Sequence, residues 1–234
     1  MLDQYEPARA AYSTAGALNP TSPLPYAARG DLTFTFGRDM KQGEADLDRA
    51  LQLDPNRTDA RTTRALLRRK AGAFDRALAD LNELIAGGSG SVRLYLVRAS
   101  VLGERLNRLD EAVKATDELL AEYPDHAIGR GGRAVYLARL GRTDEAVAEA
   151  RKLLSANPQP LTYYHAGCVL ALAARTDPSY RDEAIGLIAT ALLRGFGHEF
   201  LVGDPDLTAL ADDERFQKLL VGVKTMKELG GKFR

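Results

Sequence analysis

Residues 127–158 read AIGRGGRAVYLARLGRTDEAVAEARKLLSANP, and this stretch decides the fold. Two helical segments, about 127–140 and 143–155, flank Gly141, and Asn157-Pro158 closes the pair. Glycine takes the left-handed backbone of such a turn most easily. Proline cannot continue a helix, so Pro158 is a stop signal. Ala134 and Ala146 stand where two helices of a hairpin would cross closely. Both recur. The first column is Gly30, Ala65, Ala99, Ala134 and Gly167, in steps of 35, 34, 35 and 33. The second is Ala8, Gly43, Ala77, Ala112, Ala146 and Ala184, in steps of 35, 34, 35, 34 and 38. The third is Pro20, Pro55, Pro124 and Pro158, with Ser89 where one proline is missing. Small, small, proline at a period near 34 predicts an all-α array of helix–turn–helix units, each burying its apolar face against the next.

The pattern resembles the tetratricopeptide repeat, which implies a right-handed α-solenoid. The expected layout is one solenoid over 1–234, with a half-repeat at 3–20 and repeats at 23–57, 58–91, 92–126, 127–159 and 160–195. A C-terminal cap covers 196–234. The half-repeat reads as a second helix without its first, with Ala8, Tyr12 and Ala15 on one face. Paired helices are expected at 24–37 and 41–53, 58–71 and 74–86, 92–106 and 109–122, and 160–174 and 180–194. Gly72 and Gly141 serve the turns, and Gly87-Gly88-Ser89-Gly90-Ser91 reads as a loop. A last helix over about 213–229 carries Phe216, Leu219, Leu220 and Val223 on one stripe, with Lys218, Lys224, Lys227 and Glu228 opposite, the pattern of a cap.

Composition narrows the function classes. Lys plus Arg equals Asp plus Glu at 32 each, so no general field draws the chain to nucleic acid or anionic lipid. Cys168 is the single cysteine, which rules out an intramolecular disulfide and fits a reducing compartment. No apolar run approaches the ~18 residues of a membrane span. Residues 1–7 lack the basic and apolar regions of a signal peptide. The expectation is a cytoplasmic protein, with no membrane or nucleic-acid partner.

A second resemblance lies in the tail. It rests on Tyr163-Tyr164-His165-Ala166-Gly167-Cys168, the Gly195-Phe196 corner, Asp204-Pro205-Asp206-Leu207, and Phe216-Gln217-Lys218-Leu219-Leu220. Together these resemble the tetratricopeptide region of planctomycete-type serine/threonine protein kinases and their stand-alone relatives, over roughly 160–221. Gly167 departs from a frequent alanine and Ala211 from a frequent arginine. The resemblance implies a bacterial signalling protein with a sensory or docking appendage. It transfers no catalytic residue, and the kinase motifs are not in this chain.

The repeat geometry of the family implies a concave, mostly apolar groove along the first helices. Here it selects Ala27, Asp31 and Phe34, Thr62, Leu66 and Arg69, Leu96, Ser100 and Gly103, Gly131, Val135 and Ala138, and Tyr164, Cys168 and Ala171 as partner-binding residues, with Arg93 and Arg139 on the edges and Arg69, Arg93 and Arg139 for orientation. None of the five first helices contains Asn, which argues against the carboxylate-capturing type and for a segment with apolar side chains. Arg57, Arg61, Arg64, Arg68, Arg69, Lys70 and Arg76 form a basic stretch. Its plain reading is a face paired with Asp59, Asp75, Asp80 and their neighbours, and its sharper reading is a phosphate or acidic-peptide contact. His165 and Cys168 lie three apart on one helix, but no oriented third group or oxyanion donor accompanies them, so Cys168 reads as a buried structural residue. His and Cys spacings match no zinc site, and Asp204-Pro205-Asp206 reads as the cap of a short turn at 206–210 instead of a calcium loop. No cofactor or metal is implied. The expectation is a non-catalytic interaction module for a protein or peptide segment. The alternative is a structural repeat that self-associates through its truncated first unit. An enzyme using Cys168 and His165 ranks last.

Overall fold

The computed structural model describes residues 4–155 and 158–230. Residue 3 of the expected half-repeat, Asn157 of the expected stop signal and residues 231–234 of the expected cap lie outside them, as does the side chain of Lys227. Among the described residues all regular structure is helical. One compact unit ends at Leu106. It holds α1 (Tyr5–Leu18), α2 (Leu24–Phe36), α3 (Met40–Leu53), α4 (Thr58–Lys70), α5 (Phe74–Ala86) and α6 (Val92–Ser100), then a π-helical turn, Val101–Arg105. The second unit begins at Asn107. It holds α7 (Leu109–Glu122), α8 (Ala127–Arg139), α9 (Thr143–Ser155), α10 (Pro160–Ala173), α11 (Arg181–Leu193) and α12 (Glu214–Gly230).

In the first unit α2 packs on α1, α3 and α4; in the second, α8 packs on α7, α9 and α10. The small-residue columns make these crossings possible. A methyl group on Gly30 would lie 2.5 Å from Leu47 Cγ, and one on Gly43 would lie 2.5 Å from Thr33 Cγ2. Ala65, Ala77, Ala134 and Ala146 are fully enclosed. The turns follow the sequence reading. Gly72 and Gly141 both have φ of +77°, and the next N–H reaches back over each to the carbonyl of Arg68 or Leu137. The connection after Arg105 lacks a glycine, and Asn107 takes the left-handed conformation instead, with φ of 52°.

The expected helix over 92–106 is not one continuous α-helix. At Val101 the ladder widens, and the Leu106 N–H donates to the Val101 carbonyl at 3.1 Å. The wider turn keeps Val101 and Leu102 buried while Arg105 stays exposed.

A column the sequence reading passed over is ionic. Arg29 of α2 grips Asp46 of α3 through Nε at 2.6 Å, and Arg64 of α4 grips Asp80 of α5 through Nε at 3.0 Å. Arg98 and Arg133 continue the same step. Arg133 pairs with Asp117 at 2.6 Å, and its neighbour Arg130 holds Glu149 at 2.7 Å. The hydrogen bonds that Arg29 donates to Asp46 raise its pKa above the usual value, against the cost of burial. Burial works against Glu149 too, but hydrogen bonds from Arg130 and Lys152 outweigh it and hold the carboxyl below the usual range.

The tail packs onto the second unit, the turn Pro205–Leu210 on α10 and α12 on α11. Phe216 and Val223 of α12 are buried, Leu219 and Leu220 are half-buried, and Lys218 and Lys224 face outward. Asp204 caps the 3-10 turn Pro205–Leu210 by accepting from the Asp206 N–H at 3.0 Å.

Candidate binding clefts

In the first unit, α1, α2 and α4 line a cleft of about 570 Å³. Its floor is made of small residues: Ala15 of α1, Ala27 and Ala28 of α2, and Ala60 of α4. Tyr12 stands on one wall, and Asp31 on another, accepting from the Thr63 hydroxyl at 3.3 Å. The missing side-chain bulk leaves room for an extended chain to lie against the helices. Ala27 and Asp31 belong to the expected groove set; Ala15, Ala28 and Ala60 do not.

A second cleft in the same unit measures about 380 Å³ and brings together Phe34 and Arg69, two of the expected groove residues, with Lys70, Gly72, Phe74 and Arg105. Phe34 packs on the core cluster of Ala27, Leu47 and Leu67 and carries the Lys70 ammonium 5.9 Å from its ring centre. Thr62, Leu96 and Ser100 are half-buried, and Arg93 is exposed. Leu66, by contrast, is buried at 4% exposure and serves the core.

The basic stretch is mostly neutralised, as its plain reading had it. Arg64 and Arg68 both bind Asp80, at 2.5 and 2.8 Å. Arg68 and Arg76 share Glu44, each at 2.7 Å. Arg61 pairs with Glu83 and Arg57 with Asp59, both at 2.9 Å.

In the second unit the expected groove residues have turned inward. Val135, Tyr164 and Cys168 are buried, and Arg139 is occupied. Its guanidinium clamps Asp206 through Nε at 2.9 Å and Nη2 at 2.8 Å. The Tyr164 hydroxyl donates to Asp204 at 2.8 Å, and its ring lies edge-on to Phe196 and Phe200. Arg139 and Tyr164 fasten the 204–210 segment onto α8 and α10. The physical reason is that the turn Pro205–Leu210 packs against α10 and takes up these side chains.

Possible ligand atoms of Cys168, Asp204 and Asp206 lie within 4.8 Å of one another. Their valences are spoken for. Arg139 takes both Asp206 oxygens, and Asp204 accepts from Tyr164, the Cys168 thiol and the Asp206 N–H. The positive charge at this cluster is a guanidinium. Burial, reinforced by both aspartates, pushes the Cys168 thiol well above its ordinary pKa, so it is held as the neutral thiol. Burial pulls His165 down to about 4. The His165 Nδ1 is enclosed against Gly131 without a hydrogen-bond partner, which is no geometry for a base serving Cys168. His165 also borders a third, largely apolar cleft of about 330 Å³, between Ile128, Leu161, Arg194 and Phe196.

Comparison with known proteins places this geometry. Residues 104–159 match the family model described as tetratricopeptide repeat. No curated protein is a significant match to the chain. Solved structures share the fold. One is described as "YrrB: a TPR protein with an unusual peptide-binding site"; it is 20% identical, with a TM-score of 0.60 over 78% of this chain and 96% of that one. MamA is 21% identical, with a TM-score of 0.58 over 70% and 93%. A tetratricopeptide repeat protein from Parabacteroides merdae ATCC 43184 is 21% identical, with a TM-score of 0.54 over 90% and 79%. The chain has the all-α fold of tetratricopeptide-type solenoids. Among the described residues no helix is long and apolar enough to cross a membrane.

Proposed function

We propose that this tetratricopeptide-type chain is a non-catalytic protein–protein interaction module, an adaptor that holds an extended segment of a partner. The observation that carries the reading is the small-residue cleft between α1, α2 and α4, about 570 Å³ in volume. Ala27, Ala28 and Ala60 let a peptide backbone approach the helices, and Asp31 and Thr63 offer polar contacts to it. That a protein of the same fold is described with a peptide-binding site supports the assignment. A docking role beside a signalling kinase rests on the resemblance of residues 160–221.

The test is a peptide-display selection against the full chain. Binders are then measured on the variants Ala28→Arg and Thr63→Arg, which fill the cleft without entering the core. The reading expects at least about a tenfold loss of affinity, equivalent to about 1.4 kcal/mol, with an unchanged thermal melt. Binders that ignore both variants would remove the cleft from the account.

A second reading is self-association. Leu18 and Leu24, at the α1–α2 corner, are 82% and 59% exposed, and an apolar corner of this kind favours contact between copies. Light scattering that gives the monomer mass at all concentrations would discard it.

A further inference from the structure

We infer that the cleft between Phe34, Phe74 and Arg105 receives a phosphate monoester carried on an apolar group, as on a phosphotyrosine side chain of a partner segment. The inference rests on the interaction-module reading only for the source of the phosphate.

The cations of the first unit are not all neutralised. Arg29, Arg57, Arg61, Arg64, Arg68 and Arg76 each face a carboxylate in the first unit. Arg69, Lys70 and Arg105 do not, and among the described residues no carboxylate pairs with any of them. Yet all three border one cleft of about 380 Å³. The end of α4 explains why cations are tolerated at 69 and 70, since its carbonyls carry partial negative charge. It does not explain Arg105, which comes from a different element. The π-helical turn sets Arg105 there, at the point where α6 abandons α-geometry.

The walls between the cations are aromatic. Phe34 and Phe74 are half-buried and face the cleft, and the Lys70 ammonium rests over the Phe34 ring. The mouth is open beside Gly72, where a Cβ would meet nothing within 4 Å. A carboxylate brings one charge and would leave two of the three cations unmatched. A phosphate monoester brings about −1.5 to −2 charges and three acceptor oxygens, which suits two guanidinium groups and an ammonium. The phenyl walls favour a phosphate attached to an apolar group over a free ion.

The probe is phenyl phosphate, titrated into the full chain and followed by amide chemical shifts, with inorganic phosphate and benzoate as comparison ligands. The inference expects saturable binding at one site, with shifts at residues 34–37, 69–74 and 105. Phenyl phosphate should bind at least about tenfold more tightly than either comparison ligand. Arg69→Gln and Arg105→Gln should each weaken it by about tenfold. Both side chains are exposed, so the fold should tolerate the changes. Arg76→Gln, whose guanidinium is committed to Glu44, should leave binding unchanged. Equal binding of benzoate would assign the cleft to acidic side chains, and equal binding of inorganic phosphate to a free ion; either overturns the inference. So does binding that survives both arginine variants, or no saturable binding. Because phenyl phosphate needs no partner peptide, this result is independent of the Ala28 and Thr63 variants that test the interaction face.

Discussion

Gly167 shows how tightly single positions are set. A methyl group there would sit 2.7 Å from Ile188 Cδ1, so that side chain of α11 occupies the space an alanine would need. Ala134 and Ala146 obey the same steric rule with no space to spare. Ala134→Leu or Ala146→Leu should each cost about 1–3 kcal/mol by overpacking, read from urea denaturation followed by circular dichroism. His165 provides a pH signature. Its pKa falls from the ordinary 6.5 to about 4, because burial outweighs the attraction of Asp206. Between those values the unfolded chain binds a proton that the folded chain does not. Stability contributed by this group should therefore be lost as pH drops from 6.5 toward 4. Urea midpoints compared at pH 7 and pH 4.5 should show a smaller drop for His165→Gln than for the parent chain. The small-residue columns were legible in the sequence because close helix crossing is a steric demand that repeats with the fold. The burial of Cys168 was legible too, but that of Leu66, Val135 and Tyr164 was not, because a repeat position fixes which side of a helix a residue occupies but not what lies over it.

Individual elements depart from the repeat where the surroundings change. The π-helical turn at 101–105 interrupts a segment whose residues, Val-Leu-Gly-Glu-Arg, give no local warning beyond one glycine. The clamp of Arg139 on Asp206 joins residues 67 apart, outside the period that pairs neighbouring helices. The ionic column at 29, 64, 98 and 133 was readable in principle, since it keeps the same step as the alanines. The Arg139 clamp should be the main tether of the 204–210 turn. Arg139→Met leaves Asp206 buried and unpaired and should cost about 3–5 kcal/mol, with faster amide exchange over residues 204–210. The double variant Arg139→Met/Asp206→Leu should recover part of that loss, since no charge is then stranded. A double variant no more stable than Arg139→Met would show that the turn is held by other contacts, of which the Tyr164–Asp204 hydrogen bond is the first to examine.

At the scale of the whole chain, the formal charge of zero conceals an uneven arrangement. Most arginines of the first unit are bound to carboxylates, and the cleft of Phe34, Arg69, Lys70 and Arg105 keeps its charge. In the second unit Arg139, Tyr164 and Cys168 hold the 204–210 turn, and the partner surface proposed above lies on the first unit. Sequence periodicity supplied the fold class and the register of Phe34 and Arg69. It placed Ala27 and Asp31 in the groove but not Ala15, Ala28 and Ala60, because alanine reads equally as packing or as open surface until the neighbouring helices are in place. The most direct measurement is hydrogen–deuterium exchange on the full chain, with and without a display-selected peptide. The account predicts protection over residues 24–31 and 58–63, where α2 and α4 line the small-residue cleft. Protection confined to α12 or to the outer face of α3 and α5, with residues 24–31 and 58–63 unchanged, would contradict it.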